Sequence, residues 1–480
     1  MAWEIVMGLE VHVELNTKTK IFCSCTTAFG GAPNTHCCPI CTGQPGSLPV
    51  LNKQVLEYAV KTGIALNCDI TRYNKFDRKN YFYPDLPKAY QISQLYLPFA
   101  KDGKVHITTA SGREKDIRIH EIHMEEDAGK LVHSPFGDVS YPDYNRCGVP
   151  LLEIVSEPDF RSSEEVIAYL SKLRSTLKYL GVSDCKMEEG SMRADVNLSV
   201  RKQGDTALGT RTEMKNINSF KAIERAIAFE AQRQIDALEW GETIVQETRR
   251  WDDNRSKTYS MRSKENAQDY RYFPEPDIPP ISIDEAMLRR LTEQQPEMAE
   301  EKQKRYMRDY GLHEKTAKLL TEEKHFAEIF EKTAELCGEP EETANWLIGH
   351  TIYLMGERGI DAADVAILPE TFAKFIRLIA DGRINRTVGK ELFEKVFDGD
   401  PAFDIEAYIK ENNMEAIEDE AVVAAVVCEV LEEQKALVRQ YKDGDEKVYG
   451  FFIGQCMYRL QGKADPKRVN ALVKEKIEEM

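Results

Sequence analysis

The sequence predicts an α+β protein: a strand-rich N-terminal domain with a mixed or antiparallel sheet and helices, then two small all-helical domains. Three observations carry this. Short runs before about residue 290 alternate apolar and polar residues with period two. Two stretches among them carry capping signals followed by apolar residues at helical spacing. A proline-rich segment at 273–280 then gives way to a helical, highly charged pattern from about residue 293. The domains expected are 1–292, with a cysteine knuckle at 23–41, then 293–405 and 406–480.

The first predicted strand is Gly8-Leu9-Glu10-Val11-His12-Val13-Glu14-Leu15. In a strand, Glu10, His12 and Glu14 share one face and Leu9, Val11 and Val13 the other. Carboxylates and an imidazole on one face suit a hard cation such as Mg²⁺ and the phosphates it carries. A solvated face of an edge strand fits the same pattern equally well. Further alternation occurs in Ile117-Arg118-Ile119-His120-Glu121 and from Asp195 to Arg201. In the latter, Val196, Leu198 and Val200 oppose Asp195, Asn197, Ser199 and Arg201, as in a sheet open to solvent or ligand on one side.

Two helices are expected between these strands. Ser162 and Glu165 form a capping box ahead of Val166, Leu170, Leu173, Leu177 and Leu180, with Gly181 as the stop. A second helix is expected from Asn218 to Gly241, with Phe220, Ile223, Ile227, Ile235 and Leu238 on or near one face. Residues Phe273-Pro274-Glu275-Pro276-Asp277-Ile278-Pro279-Pro280 should continue neither helix nor sheet and should close the first domain. The last domain is expected to hold a long helix over 421–441, a turn at Asp443-Gly444-Asp445, a helix over 450–462 and a final helix after Pro466.

Cys23 and Cys25, a spacer of about a dozen residues, then Cys38 and Cys41 match a four-thiolate structural zinc site. Cys37 and His36 lie close enough to leave the ligand set open. A closed four-sulfur site folds a loop and does no chemistry itself. The scattered Cys68, Cys147, Cys185, Cys337, Cys428 and Cys456 read as mostly small buried apolar residues.

No apolar run approaches the roughly 18 residues of a membrane helix, and no secretion signal opens the chain, so a cytoplasmic location without membrane contact is expected. The net charge of −17 argues against non-specific nucleic-acid binding, although a local basic patch can dominate a local field. From Gln434 to Met480 the chain carries ten Lys or Arg against seven Asp or Glu. No phosphate-binding G-x-x-x-x-G-K-[ST], G-x-G-x-x-G or G-x-S-x-G motif occurs, nor any amidase-type Gly/Ser stretch. Ammonia, if used, would come from elsewhere.

The polar residues recur in blocks: Arg78-Lys79-Asn80-Tyr81-Phe82-Tyr83-Pro84-Asp85, His123-Met124-Glu125-Glu126-Asp127, Asp143-Tyr144-Asn145-Arg146, Glu188-Glu189-Gly190-Ser191-Met192-Arg193 and Arg211-Thr212-Glu213-Met214-Lys215. Cations suit phosphate, and aromatics suit stacking on a base. A strand would place Arg211, Glu213 and Lys215 on one face. Acidic and basic groups on successive strands point to a metal–phosphate site.

The first four of these blocks, with Gly8-Leu9-Glu10-Val11-His12, the cysteine knuckle, Asp269-Tyr270-Arg271-Tyr272-Phe273-Pro274-Glu275-Pro276, Gly450-Phe451-Phe452-Ile453-Gly454-Gln455 and Gly462-Lys463-Ala464-Asp465-Pro466, carry a resemblance that extends over essentially the whole chain. The chain resembles the B-subunit family of the aspartyl/glutamyl-tRNA(Asn/Gln) amidotransferases, of the bacterial three-subunit type. The resemblance implies a cradle-shaped N-terminal domain and an ATP-dependent reaction. In that reaction the side-chain carboxylate of mischarged Glu-tRNA(Gln) or Asp-tRNA(Asn) is phosphorylated, and the acyl phosphate is amidated by ammonia. It also implies a separate amidase subunit drawing that ammonia from glutamine, a small third subunit, and a tRNA-binding tail. With strand geometry, it assigns Mg²⁺ to Glu10, His12, Glu125, Glu213 and Asp195. It makes Lys79, Arg146, Arg193 and Lys215 contacts for phosphate, and Tyr81 and Tyr83 contacts for the nucleotide or the terminal adenosine. Glu10, His12, Glu125, Lys79 and Arg193 form the catalytic set. The rival readings are a non-catalytic, zinc-containing tRNA-binding scaffold and a ligase acting on a free small carboxylate.

Overall fold

The computed structural model describes residues 2–263, 270–417 and 419–480; Asp269, which opens one motif quoted above, lies outside the described residues. The chain folds as two compact units, Met1–Met298 and Ala299–Met480.

In chain order the first unit's strands are β1 (Trp3–Glu14), β2 (Asp69–Ile70), β3 (Tyr73–Asn74), β4 (Asp77–Asn80), β5 (Tyr90–Ser93), β6 (Ala100–Thr108), β7 (Glu114–Glu126) and β8 (Lys130–His133). There follow β9 (Ser140–Asp143), β10 (Pro150–Ser156), β11 (Met192–Lys202), β12 (Thr212–Lys215), β13 (Glu247–Asp252), β14 (Lys257–Ser263), β15 (Phe273–Pro274) and β16 (Ile281–Ser282). Its helices are α1 (Lys53–Ala65), α2 (Ser163–Leu180), α3 (Phe220–Glu239) and α4 (Glu285–Glu293). Nine strands form one sheet in the order β14-β13-β12-β11-β1-β10-β7-β6-β2. Every pairing in it is antiparallel except β12 with β13, so the sheet is mixed, as predicted.

The alternation read from the sequence decides which way this sheet faces. Leu9, Val11, Val13, Leu152, Ile154, Ile122, Met124, Val196, Leu198 and Met214 are all fully or almost fully buried. They share one core with Val166, Leu170, Leu173 and Leu177 of α2 and with Ile223, Ala226 and Ile227 of α3. The α2 caps are as expected: the Ser162 side chain accepts from the Glu165 amide, and Gly181 ends the helix at φ 69°. Glycine, with no Cβ, takes that left-handed conformation at no steric cost. α3 starts two residues later than expected, at Phe220, with Ser219 as the cap.

Three expectations need correction. α1 and α4 also belong to this unit and were missed. α1 buries the small residues Ala59 and Gly63 beside Val55, Val60 and Thr62, which makes a weak apolar stripe. The proline-rich segment enters a sheet after all, a separate three-stranded one in the order β15-β4-β5: Phe273 pairs with Arg78 and Pro274 with Asp77. A proline is tolerated in such a short edge strand because the ladder does not need its missing N–H. The helix expected over 421–441 is two, Glu420–Glu433 and Lys435–Lys442, broken at Gln434. Of the scattered cysteines, Cys147, Cys185 and Cys456 are buried, Cys68 and Cys337 half-buried, and Cys428 exposed.

The described residues of the second unit are helical, with two apolar clusters. One gathers Phe330, Phe372, Phe375 and Phe393 with Trp346 and Leu392. The other gathers Val423, Val427, Phe452, Val469 and Val473. The Asn385 amide donates to the carbonyl of Gly462, and the Ala416 amide to that of Arg383 at 2.8 Å.

The α2–sheet contact should dominate the stability of the first unit. Leu173→Ala removes a fully buried side chain and should cost about 2–5 kcal/mol. Denaturant unfolding of the two proteins measures it, and a loss below about 1 kcal/mol would contradict the packing described.

Candidate active site

The opposite face of the sheet is polar because the register makes it so. β1 lies between β10 and β11, with His12 opposite Glu153 on one side and Arg193 on the other. Glu153 in turn lies opposite His123, and Glu10 opposite Asp195. Glu213 pairs across from Asn197, and Lys215 follows two residues on. Residues directly opposite in antiparallel strands share a face. Five neighbouring strands therefore turn carboxylates, imidazoles and cations to one side.

These side chains form two groups, not one. In the first, ligand atoms of His12, Glu125 and Glu153 lie within 4.8 Å of one another. His12 Nε2 is 3.7 Å from Glu125 and 3.9 Å from Glu153. Ser93 donates to Glu125 at 3.1 Å. His123 Nδ1 is 3.7 Å from the other oxygen of Glu153, and its Nε2 is 3.0 Å from Glu121. In the second, ligand atoms of Glu10, Asp195 and Glu213 also lie within 4.8 Å of one another. Asn197 donates to Glu10 at 2.9 Å and Thr248 to Glu213 at 2.8 Å. The five carboxylate and imidazole residues picked from the sequence as one shell thus fall two and three to a group, and Glu153 completes the first. Glu153 is the lone carboxylate in the otherwise apolar run from Val149 to Val155, a signal available from the sequence.

Electrostatics within the groups follow from crowding. Burial first, then the neighbouring Glu153, raises Glu125 above the ordinary carboxylate range. Glu153 is held below that range despite its burial, by His12, His123 and Lys79. Burial, with Glu153 and Glu213, raises Glu10. The Lys79 ammonium lies over the Tyr270 ring at 5.1 Å and the Tyr81 ring at 5.9 Å. Burial works against its charge, but Glu125, Tyr272 and Glu153 outweigh it and raise the group overall. Tyr81 stands edge-on to Tyr270, and Tyr270 to Tyr272. Tyr83 is exposed and, among the described residues, takes no part in that cluster.

Arg193 donates to Asp127 at 2.8 Å, and Arg146 reaches the same oxygen at 3.4 Å while donating to the carbonyls of Ala128 and Gly129. Lys215 contacts Asp195 at 2.6 Å and Glu213 at 3.0 Å. Arg211 lies just before β12 and lines a cavity of about 210 Å³ with Glu10, Asn197, Ser199, Val155 and Leu208. A side chain at Gly209 in that wall would meet the Val200 carbonyl at 2.3 Å, so the loop lies against β11 only as glycine.

The sulfurs of Cys23, Cys25, Cys38 and Cys41 also lie within 4.8 Å of one another. Cys37 and His36 point elsewhere: the Cys37 thiol donates to the Asn34 carbonyl, and the His36 ring contacts that of Ala28. A hydrogen bond from Cys23 lowers the Cys41 thiol to about 5.

Residues 5–289 match the family model described as the GatB/GatE catalytic domain, and residues 328–477 match the one described as the GatB domain. A protein of Agathobacter rectalis is 57% identical over 473 residues, covering 98% of this chain and 99% of its own length. One of Lachnospira eligens is 56% identical over 479 residues, 98% and 99% of the two chains, and one of Caldicellulosiruptor saccharolyticus 50% identical over 483, 100% of both. All three carry the name of the B subunit of an aspartyl/glutamyl-tRNA(Asn/Gln) amidotransferase. The chain belongs to that family of amidotransferase B subunits.

Burial, and then the Asp127 carboxylate, push Glu14 from 4.5 up to about 8. Asp127, though buried, is held low by Arg193 and Arg146. A carboxyl whose folded pKa is raised takes up a proton on folding, so its contribution to stability falls as pH rises from about 4.5 to about 8. Glu14→Gln should flatten that fall. Urea midpoints of both proteins at pH 5.5 and pH 8 test this; parallel declines would contradict the raised value.

Proposed function

We propose that this chain phosphorylates the side-chain carboxylate of mischarged Glu-tRNA(Gln), Asp-tRNA(Asn) or both, and amidates the product with ammonia from a glutamine-hydrolysing amidase partner. The observation that carries the reading is the pair of carboxylate groups on one sheet face, with Lys79 and Arg193 beside them. The substrate carboxylate attacks the γ-phosphorus of ATP and ADP leaves. Ammonia then attacks the acyl carbon and inorganic phosphate leaves, taking up the proton that the nitrogen loses.

The donor sets fit divalent cations: two carboxylates and an imidazole in one group, three carboxylates in the other, each within a span an ion can bridge. Mg²⁺, held by Glu125, His12 and Glu153 and by Glu10, Asp195 and Glu213, would neutralise phosphate charge. Lys79 keeps its proton at neutral pH and offers an ammonium to the anionic substrate. Asp127 fixes Arg193, whose Nε is buried with no hydrogen-bond partner among the described residues and so can donate to an incoming oxygen. The cavity beside Glu10, walled by Leu9, Val155, Pro158 and Leu208 with Arg211 and Asn197 at its edge, suits the nucleoside of ATP. Tyr81 is placed to take part in binding near Lys79. Arg146, engaged with two carbonyls and Asp127, supports Arg193 more directly than it supports a phosphate.

The cysteine group fits a structural zinc ion. A tetrahedral site with Zn–S of about 2.3 Å places sulfurs about 3.8 Å apart, and the Cys38 and Cys41 sulfurs are 3.9 Å apart. Lys20 is fully buried, with its ammonium 3.7 Å from the Cys41 sulfur and 3.5 Å from the Tyr144 carbonyl. A buried ammonium with no carboxylate partner among the described residues calls for negative sulfur, as four thiolates around Zn²⁺ provide. The helical segments 293–405 and 406–480 act as separate domains, and residues 434–480 within the latter carry the basic excess toward tRNA. The amidase and a small third subunit complete a cytoplasmic heterotrimer.

With the amidase inactivated, the assembled complex supplied with ammonium chloride, Mg²⁺, ATP and Glu-tRNA(Gln) should form ADP and Gln-tRNA(Gln). Glu10→Ala and Glu153→Gln should each lower both products at least a hundredfold. Full activity in both variants would favour the scaffold reading. Elemental analysis should find about one zinc per chain, lost in Cys38→Ser; metal-free protein with a normal melting temperature would contradict the zinc assignment.

A further inference from the structure

The two carboxylate groups differ in their nearest cations. Among the described residues, the His12, Glu125 and Glu153 group has no lysine or arginine within 4.0 Å. In the second group, the Lys215 ammonium sits on two of the three carboxylates, 2.6 Å from Asp195 and 3.0 Å from Glu213. The outer oxygens are fixed from behind, Glu10 by Asn197 and Glu213 by Thr248. Two of the three carboxylates are therefore anchored by neutral side chains, while the lysine reaches the group from the end of its strand. Its side chain is 38% exposed, on a flexible four-carbon stem. It is the last residue of β12, and Asn216 turns the chain away at φ 64°.

We propose that Lys215 is an exchangeable resident cation of the Glu10, Asp195 and Glu213 group, displaced by a divalent ion that arrives with a polyphosphate. This rests on the reading of both groups as divalent-cation sites. Three close carboxylates without a cation would repel one another, and the ammonium holds them together. An ammonium and a divalent ion cannot share the same oxygens, because like charges a few ångströms apart repel strongly. A bare ion must therefore expel Lys215 into water. An ion carrying a polyphosphate brings both the replacing charge and anionic oxygens for the freed ammonium. The second group thus fills in step with the nucleotide, and the first fills without it.

Mn²⁺ titration of the assembled complex, with free Mn²⁺ read by electron paramagnetic resonance, tests this apart from activity. Wild type should bind one Mn²⁺ without nucleotide and a second only with ADP. Lys215→Met should bind both without nucleotide, the second at least tenfold more tightly than wild type. Lys215→Gln, closer in polarity, serves if the methionine variant misfolds by circular dichroism. The first ion should be lost in Glu153→Gln and unchanged in either Lys215 variant. A second ion no tighter in the Lys215 variants, with the first intact, would overturn the exchange alone. No binding by wild type with or without ADP would overturn the divalent-site reading itself, and the exchange with it.

Discussion

The register of β1 between β10 and β11 is the constraint on which the rest depends. Because side chains alternate with period two, a slip of one residue would carry Glu10, His12 and Glu14 into the core and turn Leu9, Val11 and Val13 to the polar side. The apolar face prevents this: Val11 and Val13 are wholly buried in the core shared with α2 and α3. The packing that stabilises the unit is thus also what places His12 beside Glu153 and Glu10 beside Asp195. Fold and site are two faces of one sheet.

The polar face carries many like charges, and its geometry shows how they are tolerated. Glu153 lies between two imidazoles, Asp127 between two guanidiniums, and Asp195 and Glu213 share an ammonium. Glu10 and Glu125 are instead pushed toward their neutral forms by burial and by neighbouring carboxylates. Such crowding is expensive without cations, which is why the arrangement reads as a binding surface for metal and phosphate and not as a stabilising salt-bridge network.

What could be read from the sequence was local. The β1 face, the α2 caps and the four cysteines each lie within one short stretch of chain, and their spacing predicts their geometry. What could not be read was set by pairing between distant strands. Glu153 joins His12 only through the β1–β10 register, and Asp127 meets Arg193 across 66 residues of chain. Nothing in the local sequence tells that Glu10 and Glu125 belong to different groups. α1 was missed because its buried face is made of small residues, and the strand at Phe273–Pro274 because its partner lies far away in the sequence at Asp77 and Arg78.

The central claim is that this sheet face holds divalent cations at two defined places. Crystals of the assembled complex soaked with Mn²⁺ and ADP, with data collected at the manganese edge, would show this directly. The account predicts two anomalous peaks in this chain, one among His12, Glu125 and Glu153 and one among Glu10, Asp195 and Glu213. A single peak bridging both groups, or none on this face, would contradict it.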